Sequence, residues 1–414
     1  MNVYKYLLSL MLLIWFPTTG FASDSILFSG YYKSFFTAID PVDFKGQTSV
    51  DQPLTGTVIN RIRFKAFYNP KKWFSLSVAY NPYFQVQDNS SFSNQLNNLS
   101  IKTFKYRVFD LDSRIYPDED DVIGNFGFYQ NLDRALIVFS TPKADIRIGR
   151  QSIAWGSAHI INPTDILAPF SLGTLDAEER AGVDAIQVLI PIGFMGELNL
   201  GSVWGKDFEI KRSAFFSKFK YNILKSDVSI LLLDFQENLL IGFDLAHNIG
   251  GAGAWIEAAQ VMAGLFENKK NDEMSDYFRI SIGMNYNFIG KIYAFAEYHY
   301  NEAGSIDPGE YLSNLSKTAY TDGSVYLMGR HYLGVGLNYQ VKPLITLSGQ
   351  SLFNLPDRST FLSVQAEYNI AQDIYLSLGA FAGIGKRPDM MNMCFNSEFG
   401  VYQNMYFTSF RIYF

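Results

Sequence analysis

Side-chain character alternates from residue to residue in segment after segment, and this period of two constrains the fold more than any other feature. Leu362, Val364, Ala366, Tyr368 and Ile370 interleave with Ser363, Gln365, Glu367 and Asn369. Leu333, Val335, Leu337, Tyr339 and Val341 interleave with Gly334, Gly336, Asn338 and Gln340, and Ile280 to Phe288 repeats the pattern against Arg279, Ser281, Gly283, Asn285 and Asn287. The final stretch sets Tyr406, Thr408, Phe410, Ile412 and Phe414 against Met405, Phe407, Ser409, Arg411 and Tyr413. Successive side chains of a strand point to opposite faces, so an apolar row against a more polar row fits a wall with lipid on one side and water on the other. Beyond the N-terminal segment, the chain has no run of roughly 18 consecutive apolar residues of the kind a transmembrane helix needs.

The alternation predicts eighteen strands: 27–37, 57–69, 72–85, 130–140, 144–153, 182–190, 195–205, 211–222, 225–235, 238–248, 253–265, 276–288, 292–301, 329–341, 344–354, 358–370, 373–384 and 402–414. The fold class is all-β, a transmembrane antiparallel up-and-down barrel of 18 strands, or 16 if two weak strands fail. Segments 226–235 and 182–190 are apolar on both parities, which a loop folded against their inner face would explain. The links sort by length. Those at 69–72, 141–144, 191–194, 222–225, 248–253, 289–291, 341–344 and 371–373 are short, and most carry Pro, Gly or Asn as turns require. The long links, 38–56, 86–130, 154–181, 266–275, 302–329 and 385–402, all fall at the opposite end. That sorting is expected of a barrel with short periplasmic turns, long extracellular loops and both termini periplasmic. In the link 86–130, Leu99, Ile101, Phe104, Tyr106 and Val108 suggest an extra strand pair or a folded loop.

Composition agrees. Hydrophobic residues make up 48% and charged residues only 18%, the average expected when lipid-facing and water-facing positions interleave, and 26 Tyr with 36 Phe can supply interfacial aromatic girdles. Lys5, the apolar run Tyr6 to Phe16 and the small-residue stretch ending at Ala22 have the layout of a secretory signal. The expected organisation is a signal peptide over 1–22 and one barrel domain over 23–414. A single cysteine, Cys394, excludes an intramolecular disulfide, and the net charge of −6 argues against a nucleic-acid partner.

Barrels of about 16 to 18 strands enclose an aqueous channel, so the inward charges are candidate pore-lining groups. Arg61, Arg63 and Lys65 form a basic ladder opposite Ile62, Phe64 and Ala66; Arg147, Lys218 and Lys220 are further inward cations. Asp145, Glu197, Asp244, Glu257, Glu297 and Glu367 are inward acids. With both signs present, the sequence gives no ion preference, and the same charges serve equally to hydrate and cross-brace the lumen.

The densest polar signal runs Ile148-Gly149-Arg150-Gln151-Ser152-Ile153-Ala154-Trp155-Gly156, then Asn162-Pro163-Thr164-Asp165, then Glu178-Glu179-Arg180-Ala181-Gly182-Val183-Asp184. Asn162-Pro163 is a turn former, and Arg150 or Arg180 can make forked bonds to a carboxylate. Arg150, Gln151, Trp155, Asn162, Asp165, Glu179, Arg180 and Asp184 are therefore candidates for a mouth or constriction loop, or for pinning such a loop to the wall. Arg150 poses a problem of facing: unbroken alternation from Ile146 and Ile148 sends it outward, so either Gly149 marks a bulge or Arg150 lies above the hydrocarbon. This segment resembles a Gly-Arg-Gln, Trp-Gly, Asn-Pro-x-Asp signature of porin-like outer-membrane families of Gram-negative bacteria, and its Gly-Arg-Gln part is loosely similar to alginate-export-type barrels. The terminal Phe410, Ile412 and Phe414 resemble the C-terminal assembly signal of bacterial outer-membrane barrels. The resemblance implies an outer-membrane location and contact with lipid, lipopolysaccharide and the barrel assembly machinery; a homo-oligomer is compatible with it.

The chemistry of other classes is missing. His159, His247, His299 and His331 are scattered, Asp118, Glu119, Asp120 and Asp121 lack calcium-loop spacing, and there is no Gly-x-Ser-x-Gly elbow or haem attachment motif. No enzyme, cofactor or metal is expected. The leading expectation is a porin-like channel for small hydrophilic solutes; the alternatives are a barrel scaffold or sheath around a partner protein, and a surface receptor or adhesin using the long loops.

Overall fold

The computed structural model describes residues 26–42, 53–88, 106–111, 113–118, 120–267, 274–323, 325–389 and 394–414. The expected signal peptide, Leu99 to Phe104 and Glu119 lie outside them. The described residues form a closed antiparallel barrel of eighteen staves. They are β1 (Ile26–Asp40), β2 (Thr55–Lys71), β3 (Phe74–Tyr80 continued by Tyr83–Gln87), β4 (Phe126–Tyr129 continued by Leu132–Ser140), β5 (Asp145–Gln151) and β6 (Val183–Ile192). Then come β7 (Gly196–Val203), β8 (Ala214–Ile223), β9 (Ser226–Phe235), β10 (Asn238–Ile249), β11 (Ala252–Met262) and β12 (Tyr277–Phe288). The last are β13 (Ile292–Asn301), β14 (His331–Lys342), β15 (Ile345–Asn354), β16 (Ser359–Ala371), β17 (Ile374–Ile384) and β18 (Asn404–Tyr413). Each predicted strand has its stave, and the count is eighteen rather than sixteen.

β1 pairs with both β2 and β18, which closes the wall and leaves it no edge. The seam is tied at its very end: Gly30 N–H donates to the Phe414 carbonyl at 2.7 Å, and Phe414 N–H returns to the Gly30 carbonyl at 3.0 Å. The Phe414 ring lies over Gly30, where an added Cβ would stand 2.9 Å from the ring and 2.1 Å from the Arg63 carbonyl, so only glycine fits. Both ends of the described barrel lie at the rim that carries the short turns; the long links lie at the other rim.

The staves follow the period of two. On β16 and β17, Val364 and Leu378 are 42% and 64% exposed on the outer face, whereas inward Ser377 is buried. β3 and β4 are each interrupted once, at Asn81-Pro82 and at Gln130-Asn131. Pro82 cannot donate to the ladder, and the chain repairs the break with reciprocal bonds between Asn81 and Asn131, at 2.8 and 3.0 Å. Beyond this kink, Arg114–Tyr116 adds a short strand against Phe126–Tyr129, the one extra element in the 86–130 link among the described residues.

The two segments that are apolar on both parities have a packing explanation. On β9, Ile230 and Leu232 are about half exposed on the outer face, while Leu231, Leu233 and Phe235 are buried on the inner one. The link between β5 and β6, residues 152–182, covers them: Ile153, Trp155, Ile166 and Leu167 pack with Val183, Ala185, Phe216, Leu231, Leu233 and Leu240 into one inner cluster. This part of the barrel interior is thus a hydrophobic core, completed by Ala303, Ala319, Tyr320 and Val325 of the link after β13.

Candidate functional site

The loop 152–182 crosses the lumen and is fastened at both sides by groups of opposite kind. Its first half lies on an acidic wall, where carboxylates from β10, β11 and β13 accept bonds from the loop. Asp244 accepts from the Ser157 hydroxyl. Glu257 accepts from Ala158 N–H at 3.0 Å, Thr164 N–H at 2.9 Å and the Thr164 hydroxyl at 2.7 Å. Glu297 accepts from the N–H groups of His159 at 2.7 Å, Ile160 at 3.2 Å and Ile161 at 3.0 Å, and from Trp255 Nε1 at 3.0 Å. A loop inside a barrel has no sheet partner for its N–H groups, and Glu257 and Glu297 each serve several of them.

The second half of the loop carries the complementary charge. Asp176 meets Lys33 at 2.9 Å and Arg61 at 3.1 Å, and Glu178 takes a further bond from Lys33 and one from the Tyr413 hydroxyl at 2.7 Å. Glu179 pairs with Lys65 at 2.5 Å and with Arg63 at 3.5 Å. Arg63 also meets Asp133 of β4 at 2.8 Å, and Asp133 in turn binds Arg134 at 2.7 Å and accepts from Gly182 N–H at 3.0 Å. The basic ladder is therefore largely neutralised: Lys33 and Arg63 are buried, and Arg61 and Lys65 are only about one-third exposed. Burial opposes ionisation of Glu178, but the hydrogen bonds from Lys33 and Tyr413 outweigh it and hold its carboxyl below the usual range.

Between its two fastenings the loop makes the turn expected of Asn-Pro. Asp165 N–H donates to the Asn162 carbonyl at 3.3 Å, the Pro163 carbonyl accepts from Arg279 at 2.6 Å, and Asp165 forms an ion pair with Arg180, which also donates to the Ala168 carbonyl at 3.0 Å. Burial pushes the Asp165 carboxyl up to about 6, against the pull of Arg180 and Arg279. Burial also lowers the His159 imidazole, whose Nε2 lies 3.1 Å from both the Tyr293 hydroxyl and the Asn285 amide. Close approach of loop to wall requires missing side chains: an added Cβ would stand 2.3 Å from Ile160 at Gly334 and 2.8 Å from Thr164 at Gly242.

Arg150 resolves its facing problem by position. Register on both neighbours is unbroken through Gly149, which takes φ +114, and Arg150 pairs directly with Asp184. It stays on the parity of outward Ile148 and Ile186, two residue pairs beyond them at the end of short β5. There the segment Arg107–Asp110 covers it: Arg150 bonds to Asp184 at 2.7 and 3.0 Å, to Asp110 at 2.9 Å and to the carbonyls of Leu132 and Phe109 at 2.8 and 2.6 Å. Five bonds satisfy the guanidinium in a buried position, and Asp184 also accepts from Val108 N–H at 2.9 Å. Gln151 is buried next to it with its amide on the Ala185 carbonyl at 3.1 Å, and Trp155 stands edge-on to Phe216 at 4.9 Å between centroids.

The remaining candidates spread around the interior. Arg147 is half-buried on β5 opposite Gln187; Glu197 faces Lys220 across β7 and β8, Lys218 is half-buried beside it, and Lys220 meets Asp227 at 3.1 Å. Glu367 is paired with Arg411. Phe410 and Ile412 lie on the outward parity of β18, opposite Ser34 and Tyr32 of β1. Sequence reasoning missed Lys33, Asp133, Asp176, Arg279 and Arg411. The acidic run Asp176-Ala177-Glu178-Glu179 opposite a basic ladder was the available signal for the fastening to the basic wall; the other contacts depend on pairing that no local pattern records.

A second knot lies between the long links after β13 and β17. Glu398 is fully buried and accepts from Met328 N–H at 3.0 Å, Gly329 N–H at 3.3 Å, the Asn354 amide at 2.7 Å and the Tyr332 hydroxyl. Burial pushes its carboxyl up to about 7.

What these loops leave open is a cavity of about 450 Å³. One side is the loop, from His159 to Arg180. The other is the inner face of β14 to β16, presenting Asn338, Ser348, Gln350, Ser363 and Gln365, with Arg411 beside it. Amides and hydroxyls dominate that wall, and of the charged groups around the cavity, Asp165, Arg180, Asp176, Glu178 and Arg411 are already paired. The arrangement suits hydrogen bonding to a small polar solute. Among the described residues no cluster of His, Cys, Asp and Glu is arranged to hold a metal ion.

No family model matches the chain, and no curated protein matches it by sequence. Solved structures do match its fold. Acinetobacter baumannii OccAB3 aligns with a TM-score of 0.58 at 10% identity, over 94% of this chain and 99% of that one. Pseudomonas aeruginosa OpdK, solved with vanillate, aligns with a TM-score of 0.56 at 9% identity, over 95% and 100%. The outer membrane protein OprD from Pseudomonas aeruginosa aligns with a TM-score of 0.56 at 11% identity, over 96% and 95%. At these identities the likeness establishes a shared barrel fold, end to end in both chains.

Proposed function

We propose that this chain is a porin-like channel of the Gram-negative outer membrane, with both termini periplasmic, that passes small hydrophilic solutes down their gradient. The observation that carries the reading is the strap across the lumen. A loop fastened to an acidic wall at one side and a basic wall at the other narrows the barrel to a cavity of about 450 Å³, bounded on the β14 to β16 side by neutral hydrogen-bonding side chains, with most of the charged groups elsewhere around it already paired. Such a constriction selects by size and by hydrogen bonding more than by charge, because most cations of the ladder are matched by the loop's own carboxylates. A solute of the size of the vanillate in OpdK, or a small sugar, has the right scale. The cavity's size weighs against a sheath, since a folded protein partner has no room beside the loop. Passive passage needs no catalytic group.

The test is planar-bilayer conductance together with solute flux into liposomes. Discrete conductance and uptake of small neutral solutes are expected, with exclusion of larger ones. A folded barrel that shows neither would overturn the reading.

A further inference from the structure

The inner face of β14 to β16 uses its polar groups differently from the walls that hold the loop. Asn338, Ser348, Gln350, Ser363 and Gln365 form one patch across three staves: Asn338 lies opposite Ser348, Ser348 opposite Gln365, and Gln350 opposite Ser363. Their parity is inward, since the neighbouring Leu337, Leu347 and Val364 are exposed on the outer face. Glu257 and Glu297 spend their acceptors on the loop, whereas among the described residues none of these five side chains has an intramolecular hydrogen bond. Three amides and two hydroxyls are therefore free to bond to what enters the cavity. On the cavity's other side the loop presents Phe170, Leu172 and Leu175, all half-buried. The charged groups around it are engaged: Asp165 with Arg180, Asp176 and Glu178 with Lys33, and Arg411 with Glu367. Arg279 is only 4% exposed and donates to the Pro163 carbonyl at 2.6 Å.

We propose that this patch is the recognition wall of a subsite for an uncharged polyhydroxyl solute, a pyranose sugar. The proposal rests on the channel reading above and names its substrate class. An amide offers donor and acceptor side by side, and a sugar hydroxyl both donates and accepts, so wall and ring edge satisfy each other with no charge on either. Such a solute reproduces the bonds that water makes to the wall, so displacing that water costs little. The pyranose ring also has an apolar C–H face, which the loop's Phe170, Leu172 and Leu175 can cover while the ring edge bonds to the amides. The cavity's volume, about 450 Å³, lies within the roughly 300–1,000 Å³ of small-molecule sites. A carboxylate or an ammonium solute fits less well. It would give up hydration without meeting an unpaired counter-charge, which costs more than moving a neutral hydroxyl whose hydrogen bonds are replaced. The ion pairs around the cavity and the free amides of its wall act together: the first remove the pull on ions, and the second supply bonds to hydroxyls.

Glucose, glucuronate and glucosamine share a ring and differ in charge, so together they test this. The full barrel is reconstituted into liposomes preloaded with each sugar, with equal salt on both sides, and efflux is measured alongside ion conductance in planar bilayers. We expect glucose to leave several-fold faster than either charged sugar, and added glucose to reduce the ion current in a saturable way. Gln350→Ala and Gln365→Ala, singly and together, should weaken that block several-fold, with ion conductance showing that each variant has folded. Asn287→Ala, an exposed inward amide outside the cavity, should keep the wild-type block. Glucuronate or glucosamine efflux as fast as that of glucose overturns the assignment, as does a block that survives undiminished in the conducting Q350A and Q365A barrels. Ion conductance with no block by glucose also overturns it and leaves the channel reading intact. A folded barrel that passes neither ions nor any of the three sugars overturns the channel reading itself, and this inference with it.

Discussion

Replacing Glu297 by Gln tests the strap at its most heavily used anchor. The Glu297 carboxylate receives four N–H bonds: Ile160 and Ile161 share Oε1, while His159 and Trp255 share Oε2. A glutamine has the same shape but one acceptor, so two donors lose their partner and face an NH₂ group. Hydrogen bonds to a charged group contribute about 1.5–3 kcal/mol each, so losing two removes about 3–6 kcal/mol from the attachment of residues 159–161. At roughly 1.4 kcal/mol per decade, local opening becomes about two to four decades more frequent. The assay is hydrogen–deuterium exchange of peptides covering 156–165 in the purified barrel, where protection should drop by that amount while the β14 to β16 amides keep theirs. Single-channel conductance should become larger and noisier in parallel. Glu197→Gln, an exposed position facing Lys220, is the control and should leave both unchanged. Unchanged exchange at 159–161 in a folded E297Q barrel, or an equal change in E197Q, would refute the idea that wall carboxylates hold the loop.

Other consequences follow from the same geometry. Asp133→Asn strips the buried Arg63 of its nearest carboxylate, 2.8 Å away; removing one partner of a buried pair costs about 3–5 kcal/mol, so the temperature at which the folded band is lost in detergent gels should fall clearly. Gly156 takes φ +96, and an added Cβ there would stand 2.4 Å from the Glu257 carboxylate; Gly156→Ala should therefore cost about 1–3 kcal/mol in backbone strain alone and loosen the loop, read by the same exchange experiment. Acidification should first stabilise the protein. Burial raises Asp165 to about 6 and Glu398 to about 7, so between their unfolded values and these the native state binds more protons than the unfolded one. Each group then contributes up to about 3 kcal/mol as pH falls from about 7 to about 4.5, and Asp165→Asn should flatten the rise in urea midpoint; a wild-type midpoint that falls steadily from pH 7 to 5 contradicts this. Below that window Glu178 and Asp110, both held low, lose their ion pairs and stability declines. Deleting Phe414, whose backbone closes the seam on Gly30, should reduce the yield of assembled barrel in outer-membrane fractions several-fold.

The wall was legible because its rule is local. A strand places side chains by parity, so Leu362 to Ile370 or Leu333 to Val341 declares two faces without reference to anything distant, and the sorting of short and long links then sets the order and direction of all eighteen staves. Even the segments apolar on both parities, 226–235 and 182–190, carried their own hint of a covering loop. The interior was not legible in this way. Parity says that Glu257, Glu297, Arg61 and Arg63 point inward, but not that each is covered by a loop that leaves the wall after Gln151. Lys33 meets Asp176 143 residues later, and Arg150 is satisfied by Asp110 and Phe109 from a link some 40 residues earlier. Those partners are chosen by where the closed barrel brings chains together. The sequence by itself determined a barrel of about this size and, in the clearly alternating strands, which row faces outward, because alternation is a property of neighbours in the chain; the count of eighteen rather than sixteen came with the closed structure. Only the tertiary structure decided that the lumen is strapped, where its charges are cancelled and which wall remains open, because those depend on contacts across a barrel's width.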